Sequence, residues 1–531
     1  MNPRTIPDTD TYRSQGWWRD VTFLDDLDRH TRETPLKTAL IEMRPEGSTH
    51  VSYHELSAAV DIHAETLLRI GIGAQDVVAV QLGNRRELPI LLFACMRVGA
   101  VFCPIAPECP TGELSHRLTV ADVKLLITSN EPPPADADEE LRDCENSTIP
   151  TSVTVLHVDA LTQLNAGNPA EPEPPATHRR AESINSDDPT LILFTSGTTG
   201  FSKGVVHTSN TLYAAIRAYV DILLLTHQDV TAITTPLVHY SGIGQGILGT
   251  IHAGATAAFT PQNEPEDHLQ LISRNSATLV YGPPKKIEAI AALQQTCTGS
   301  AVDTLTRVVV GTAPVLPRLL HTVRHAFRAR VFSVWGLSEF GPITTTVPLF
   351  LDDKTTRTNG RPADSVALKL EDFPPATDGT GRLYAKGASR AITYAGTPDK
   401  MNEALDADGW FDTGDLARRN AAGEIKILGR ATDSIVRDGK VAPIADIEAS
   451  LLEVPSVNDA VVLSRSTADD HPIVTVVLVA RRNVPLPEVQ EALSIDFTDF
   501  PIDEVQIVPE IPRTLTGKAR KAELRTRLEP R

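Results

Sequence analysis

Residues 190–204 read Thr-Leu-Ile-Leu-Phe-Thr-Ser-Gly-Thr-Thr-Gly-Phe-Ser-Lys-Gly, a short apolar run passing into a Ser/Thr/Gly stretch that ends in a lysine. That order of residue types suits the holding of phosphate. Gly197, Gly200 and Gly204 let backbone N–H groups approach phosphate oxygens with no Cβ in the way. The hydroxyls of Thr195, Ser196, Thr198 and Thr199 add donors, and Lys203 adds a compact positive charge. The spacing is not that of the Walker A loop, GxxxxGK[ST] at the start of a helix. A polar surface turn is the alternative for such a composition. The expectation taken forward is ATP.

This loop resembles the phosphate loop of the adenylate-forming superfamily, which includes acyl-CoA synthetases, peptide-synthetase adenylation domains and luciferases. Further motifs of that superfamily follow in order along the chain. Gly311-Thr312-Ala313-Pro314 resembles the loop that faces one side of adenine. Trp335-Gly336-Leu337-Ser338-Glu339 resembles Tyr-Gly-x-Thr-Glu. The resemblance implies that Trp335 stacks on the base and that Glu339, with Thr199, holds a Mg²⁺ bridging phosphates, a task for hard oxygen ligands. Trp for Tyr keeps a π face, and Ser338 for Thr keeps the hydroxyl.

Gly409-Trp410-Phe411-Asp412-Thr413-Gly414-Asp415 resembles Gly-Trp-Phe-x-Thr-Gly-Asp and implies that Asp415 accepts from both ribose hydroxyls, as a two-oxygen carboxylate can. Gly429-Arg430 resembles the opening of the hinge, whose Arg reaches the ribose and phosphates. Pro512-Arg513-Thr514-Leu515-Thr516-Gly517-Lys518 resembles Pro-[Arg/Lys]-[Thr/Ser]-x-x-Gly-Lys. There the resemblance places Lys518 across the substrate carboxylate and the α-phosphate. Two anions must meet in that step, so a cation belongs between them. Three stretches depart from the pattern: Phe201-Ser202 replaces x-Pro, Thr432 stands where Asp or Lys is usual, and Arg437–Pro443 keeps Gly439 but not the usual prolines and lysines.

For the acid, Pro236-Leu237-Val238-His239-Tyr240-Ser241-Gly242 resembles Pro-[Leu/Met]-[Phe/Tyr]-His-x-x-Gly. The resemblance implies a pocket lined by His239, Tyr240, Ser241 and Gly242, with His239 beside the carboxylate among the catalytic residues and proton transfer its lesser role. Tyr12-Arg13-Ser14-Gln15-Gly16-Trp17-Trp18-Arg19-Asp20 resembles the opening of free-standing aryl-acid adenylating enzymes and cyclic-carboxylate CoA ligases. Enzymes of that group that read a 2-hydroxyl carry Asn where this chain has Tyr240, so an aromatic or alicyclic acid other than a salicylate is expected. The implied reaction is carboxylate plus ATP giving acyl-AMP and pyrophosphate, then transfer to CoA. An amine is the second acceptor, as in amide synthetases of aminocoumarin antibiotic pathways, and a separate carrier protein is the third. A catalytically dead nucleotide-binding protein is the non-enzyme reading. The joint presence of Lys203, Glu339, Asp415, Arg430 and Lys518 speaks against it.

These residues need a scaffold that brings distant segments together. Residues 51–128 alternate helical and strand patterns, helix His54–Leu68, strand Val77–Leu82, helix Leu88–Val98 and strand Val101–Ile105, which predicts a parallel sheet covered by helices. Ser209 can cap a helix running to Leu224. Strand signals at Thr306–Val310 and Val331–Val334 run into the adenine and Trp335 motifs, and 366–428 reads as β-rich. The Pro- and acid-rich stretches 131–140 and 165–186 read as surface loops. The class is α/β: residues 1–428 as an AMP-binding domain with parallel sheets and a β-rich subdomain, 429–433 as hinge, and 434–531 as a small mobile α+β lid carrying Lys518. A final helix is expected over Ala519–Leu528.

The chain has 531 residues, 41% hydrophobic and 22% charged, which suits a large body plus a smaller piece. A net charge of −18 argues against a nucleic-acid surface. No apolar run is long enough to span a bilayer, and the opening residues do not read as a secretory signal. The five cysteines include no CxxC pair and read as reduced thiols. A cytoplasmic enzyme acting on small molecules is expected, with a homodimer left open.

Overall fold

The computed structural model describes residues 8–129, 149–161, 184–195, 202–297, 302–348, 354–374, 376–465, 473–493, 497, 499–513 and 519–528. Two large sheets form the body. The nine-stranded sheet has a parallel centre made of Arg330–Leu337, Arg307–Gly311, Leu279–Gly282, Val230–Ile233, Thr256–Phe259 and Thr38–Arg44, with antiparallel strands at its edges. In the seven-stranded sheet Val77–Gln81, Val101–Ile105, Val123–Thr128, Thr154–His157 and Pro189–Thr195 run parallel, and Lys203–Thr208 and Thr393–Ala395 continue it antiparallel.

The helices follow from sequence. Ser52 and Glu55 form a capping box that opens Tyr53–Arg69 by satisfying backbone N–H groups no helical carbonyl can reach. Glu87–Val98 is buried from Leu88 to Val98, as expected of a helix that is apolar all round. It lies between the sheets: one core joins its residues to Val78, Phe102 and Leu191 of one sheet and to Leu40, Ile233 and Phe259 of the other. Helices Pro265–Arg274, Pro284–Thr296 and Pro317–Phe327 cover the outer face of the nine-stranded sheet with a separate core. Strands buried on both faces read as continuous apolar runs, such as Val77-Val-Ala-Val.

Beyond the body, Val366–Asp372, Gly381–Gly387, Phe411–Arg419 and Ile425–Arg430 make an antiparallel four-stranded sheet. From Ile435 onward the chain builds its own core around the sheet of Val457–Arg465, Ile473–Ala480 and Glu504–Ile507.

Several elements differ from the sequence reading. Trp335-Gly336-Leu337 does not follow a strand but completes one, because it pairs antiparallel with Gly341–Thr345. Lys203 opens a strand opposite Thr195. Thr208, not Ser209, caps the next helix, its hydroxyl oxygen accepting from the Thr211 N–H. The last helix begins at Lys521, because Ala519 is bridged to Arg513. Residues 131–140 and most of 165–186 lie outside the described residues. Among the described residues no helix is long and apolar enough to cross a membrane.

Candidate nucleotide and acid site

The parallel strands of the nine-stranded sheet end near Ile233, Gly282 and Gly311, and Trp335 lies at the same edge in the next strand. In open parallel sheets ligands settle beyond these carboxyl ends. Gly311 must be small: a Cβ there would lie 2.8 Å from the Tyr281 hydroxyl. Thr312 then takes a left-handed φ of 73°, unusual for a branched residue, and stands exposed with Ala313, while Pro314 is half-buried. A Cβ on Gly336 would fall 2.0 Å from the Gly341 carbonyl oxygen, so the hairpin closes only on glycine.

Asp415 is buried with both oxygens engaged. The indole Nε1 of Trp335 donates to Oδ2 at 3.2 Å, and Arg430 Nε pairs with Oδ1 at 3.2 Å. Arg430 also donates to the Thr413 carbonyl at 2.7 Å, and Asp415 and Arg430 sit opposite each other on paired strands. Gly414, φ 74°, bends the strand beneath the Arg430 side chain.

A second cluster joins Lys203, Tyr394 and Glu339. The Tyr394 hydroxyl donates to Glu339 Oε1 at 2.7 Å, and Lys203 Nζ lies 5.0 Å from the centre of the Tyr394 ring. Burial, with the Glu339 charge beside it, pushes the Tyr394 phenol well up, so it stays a donor. The Glu339 carbonyl accepts from Ala391 N at 2.7 Å. His207, fully buried, donates from Nε2 to the Ser338 carbonyl at 2.7 Å. Burial holds its ring at about 4, so it is neutral at pH 7.

On the acid side, His239 and Tyr240 lead into a π-helix, Ser241–Leu248. Gly242 lets it cross the preceding turn, since a Cβ would lie 2.3 Å from the Pro236 carbonyl oxygen. Asn84 fixes that turn, accepting from Leu237 N at 2.7 Å and donating to the Thr235 carbonyl at 3.2 Å. Tyr240 is buried, edge-on to His207 with ring centres 5.6 Å apart. Its ring occupies the space a Cβ of Gly244 or Gly341 would need. Its hydroxyl has no hydrogen-bond partner among the described residues. Tyr281, pushed to about 12 by burial, faces Ser241 and Gln245, and Ser241 lies 3.3 Å from the Thr235 hydroxyl.

The structure thus brings together Lys203, Glu339, Gly311, Thr312, Trp335, Ser338, Asp415 and Arg430 around one edge, with Tyr240 and Ser241 nearby. Ser196, Gly197, Thr198, Thr199, Gly200 and Lys518 lie outside the described residues. Sequence reasoning missed Tyr394, His207 and Asn84. The signal for the first two was faint: Lys203 and His207 share the strand Lys203–Thr208, and Tyr394 sits on its neighbour. A Mg²⁺ fits this set through Glu339, half-buried at the edge with one oxygen held by Tyr394, since Mg²⁺ takes most of its oxygens from phosphates and water.

A family model described as AMP-binding enzyme matches residues 27–395. The chain is 29% identical to the medium-chain fatty-acid–CoA ligase of Escherichia coli (strain K12), covering 97% of this chain and 92% of that one. It is 26% identical to the 2-hydroxy-7-methoxy-5-methyl-1-naphthoate–CoA ligase of Streptomyces carzinostaticus, covering 97% and 94%. Its fold matches the O-succinylbenzoate coenzyme A synthetase of Bacillus subtilis, solved in complex with AMP, with a TM-score of 0.80 at 23% identity over 97% of this chain and 99% of that one. The carboxyl-edge cluster thus stands in a chain that belongs to the AMP-binding enzyme family.

Proposed function

We propose that this protein activates an aromatic or alicyclic carboxylic acid with ATP, releases pyrophosphate, and transfers the acyl group from acyl-AMP to CoA. The observation that carries the reading is the convergence, at one sheet edge, of the Trp335–Asp415–Arg430 and Lys203–Tyr394–Glu339 clusters. In this reading Trp335 stacks on adenine beside Thr312, and Asp415, already oriented by two donors, accepts from the ribose hydroxyls. Lys203 and the glycine-rich loop hold phosphate, and Glu339 would hold a Mg²⁺, which when bound would supply charge neutralisation at the phosphates. Lys518 bridges the carboxylate and the α-phosphate. Residues 429–433 serve as hinge between the body and residues 434–531, so that Lys518 can withdraw before the acceptor enters.

The aromatic or alicyclic acid rests on the resemblance carried by the opening residues and by the His239 motif, and the Tyr240 ring, packed against Gly244 and Gly341, takes up space on that side. CoA is favoured as acceptor because the two curated relatives above are named CoA ligases. An amine acceptor is the second reading, favoured by the altered segment Arg437–Pro443, where Gly439 packs so tightly that a Cβ would lie 2.4 Å from the Thr377 hydroxyl. A separate carrier protein is the third. The deciding experiment is product analysis with a panel of aromatic and alicyclic acids, ATP and Mg²⁺, with CoA, without it, and with mixed amines. Acyl-CoA is expected, and only when CoA is added. Amide formed without CoA would replace this reading with the second.

A further inference from the structure

Among the described residues three arginines are buried: Arg97, Arg307 and Arg390, at 7%, 8% and 7% exposure. Two of them have carboxylates. Arg97 pairs with Asp28 at 3.0 Å and with Asp61 at 3.3 Å. Arg307 pairs with Asp229 and donates to the Leu223 carbonyl at 2.8 Å. Arg390 differs from both, because among the described residues its guanidinium makes no ion pair and no hydrogen bond. A charge taken out of water without a partner is strongly unfavourable. Burial pushes the Arg390 value down from 12.5, but a guanidinium cannot shed its proton near neutral pH, so the charge remains.

The backbone that carries Arg390 is pinned on every side. Ala388 N donates to the Ser365 carbonyl at 3.0 Å, and the Ala388 carbonyl accepts from the Trp18 indole at 2.8 Å. Ala391 N donates to the Glu339 carbonyl at 2.7 Å, and Ile392 N to the Val206 carbonyl at 3.0 Å. Residues 388–392 are thus held between the opening segment, the seven-stranded sheet and the turn that bears Glu339. The ionisable group that feels Arg390 is Tyr12, itself 6% exposed, and its hydroxyl has no hydrogen bond among the described residues. Burial, with the Asp8 charge beside it, pushes the Tyr12 phenol up, so it is a neutral donor and brings no counter-charge. The Ser389 hydroxyl, in the same short segment, is also fully buried with no partner among the described residues. A guanidinium and a phenol, both buried and both with donors to spare, lack the same thing: an acceptor that carries negative charge.

We propose that Arg390, with the Tyr12 hydroxyl, binds a small anion, and that this ion is the counter-charge that lets residues 388–392 pack beneath the Glu339 turn. The site stands apart from the reaction proposed above. The experiment follows thermal unfolding of the full chain in chloride, acetate and phosphate from about 1 to 100 mM, with ionic strength held constant by a bulky sulfonate. The unmodified protein should melt on the order of 3 °C higher at the top of the range with at least one of the three. The ion that acts at the lowest concentration tells halide, carboxylate and phosphate apart. Arg390→Met should melt at or above the unmodified protein in sulfonate alone and should lose the response, because no uncompensated charge remains. Tyr12→Phe keeps the charge, so it should keep the response but shift its midpoint about tenfold higher, as loss of one hydrogen bond to a charged partner would. Should Arg390→Met fail to fold, the Tyr12→Phe midpoint decides. A response that survives in Arg390→Met, or a midpoint unmoved in Tyr12→Phe, would overturn the proposal. A flat melting temperature in the unmodified protein would overturn it too, in favour of a counter-charge supplied by the chain itself.

Discussion

Around Asp415 the polar groups are charged and paired: a carboxylate takes an indole N–H and a guanidinium, and in the turn that follows Trp335 a second carboxylate, Glu339, takes a phenol beside Lys203. Around Tyr240 the packed groups are neutral, the glycines are filled to contact, and a phenol oxygen is buried with no partner among the described residues. In the reading proposed above, the first region takes a ligand whose charge is fixed in advance, and the second takes an acid selected by shape. An enzyme that uses one nucleotide and a particular acid needs that asymmetry, because charges recognise phosphate in any relative whereas shape tells acids apart.

The largest effect should come from the charged side. Lys518→Ala is expected to lower pyrophosphate release on the order of a hundredfold or more, as loss of a cation between two reacting anions would. Transfer from preformed acyl-AMP should stay nearly intact. Equal loss of both steps would mean that Lys518 supports the fold rather than the first reaction.

His207 joins the two regions, with the Ser338 carbonyl on one side and the Tyr240 ring on the other. Its folded-state value is lowered from 6.5 to about 4, so between these values the unfolded chain binds the proton and the folded one does not. Stability should therefore be full above pH 6.5 and fall as pH drops towards 4, by about 2 kcal/mol between pH 7 and pH 5. His268, pushed to about 3 by burial, acts in the same direction. Thermal unfolding of His207→Gln should show a shallower loss over this window, with the His268 share remaining. An unchanged slope would place the ring in water.

The two regions also differ in how far they could be read from sequence. Phosphate and ribose sites depend on residue type at short spacing, so Lys203, Glu339, Asp415 and Arg430 stood out in their motifs, and the structure puts them at one edge. Fold class was legible for a similar reason: apolar runs such as Val77-Val-Ala-Val alternate with capped helices. What stayed hidden depends on contacts far apart in sequence. Tyr394 is 55 residues from Glu339, and His207 is 131 from Ser338. In sequence the strand Val331–Val334 reads as ending before the Trp335 motif, because its partner, Gly341–Thr345, comes only after the following turn. The segments at 196–201 and 514–518 lie outside the described residues, so the placement of Thr199 and Lys518 stands on motif alone.

Asp415→Ala sharpens the comparison from the charged side. It should raise KM for ATP on the order of tenfold, since it removes the acceptor and leaves the Arg430 and Trp335 donors without it. KM for the acid should change little. An unchanged KM for ATP would remove the ribose from this position.

The smallest effect is expected from Tyr240→Phe, and it tests the neutral side alone. The Tyr240 hydroxyl is buried and, among the described residues, makes no hydrogen bond, while burial keeps it protonated. Removing an unpaired buried polar atom forfeits no bond and abolishes a desolvation cost, so thermal stability should hold or rise by up to about 1 kcal/mol. KM for ATP should not move. If the acid takes the hydroxyl as its partner, KM for that acid alone should rise, and acids lacking a polar ring substituent should be unaffected. A loss of stability would show that the hydroxyl is bonded within the protein, and the acid side would then be polar and satisfied like the nucleotide side rather than selected by shape.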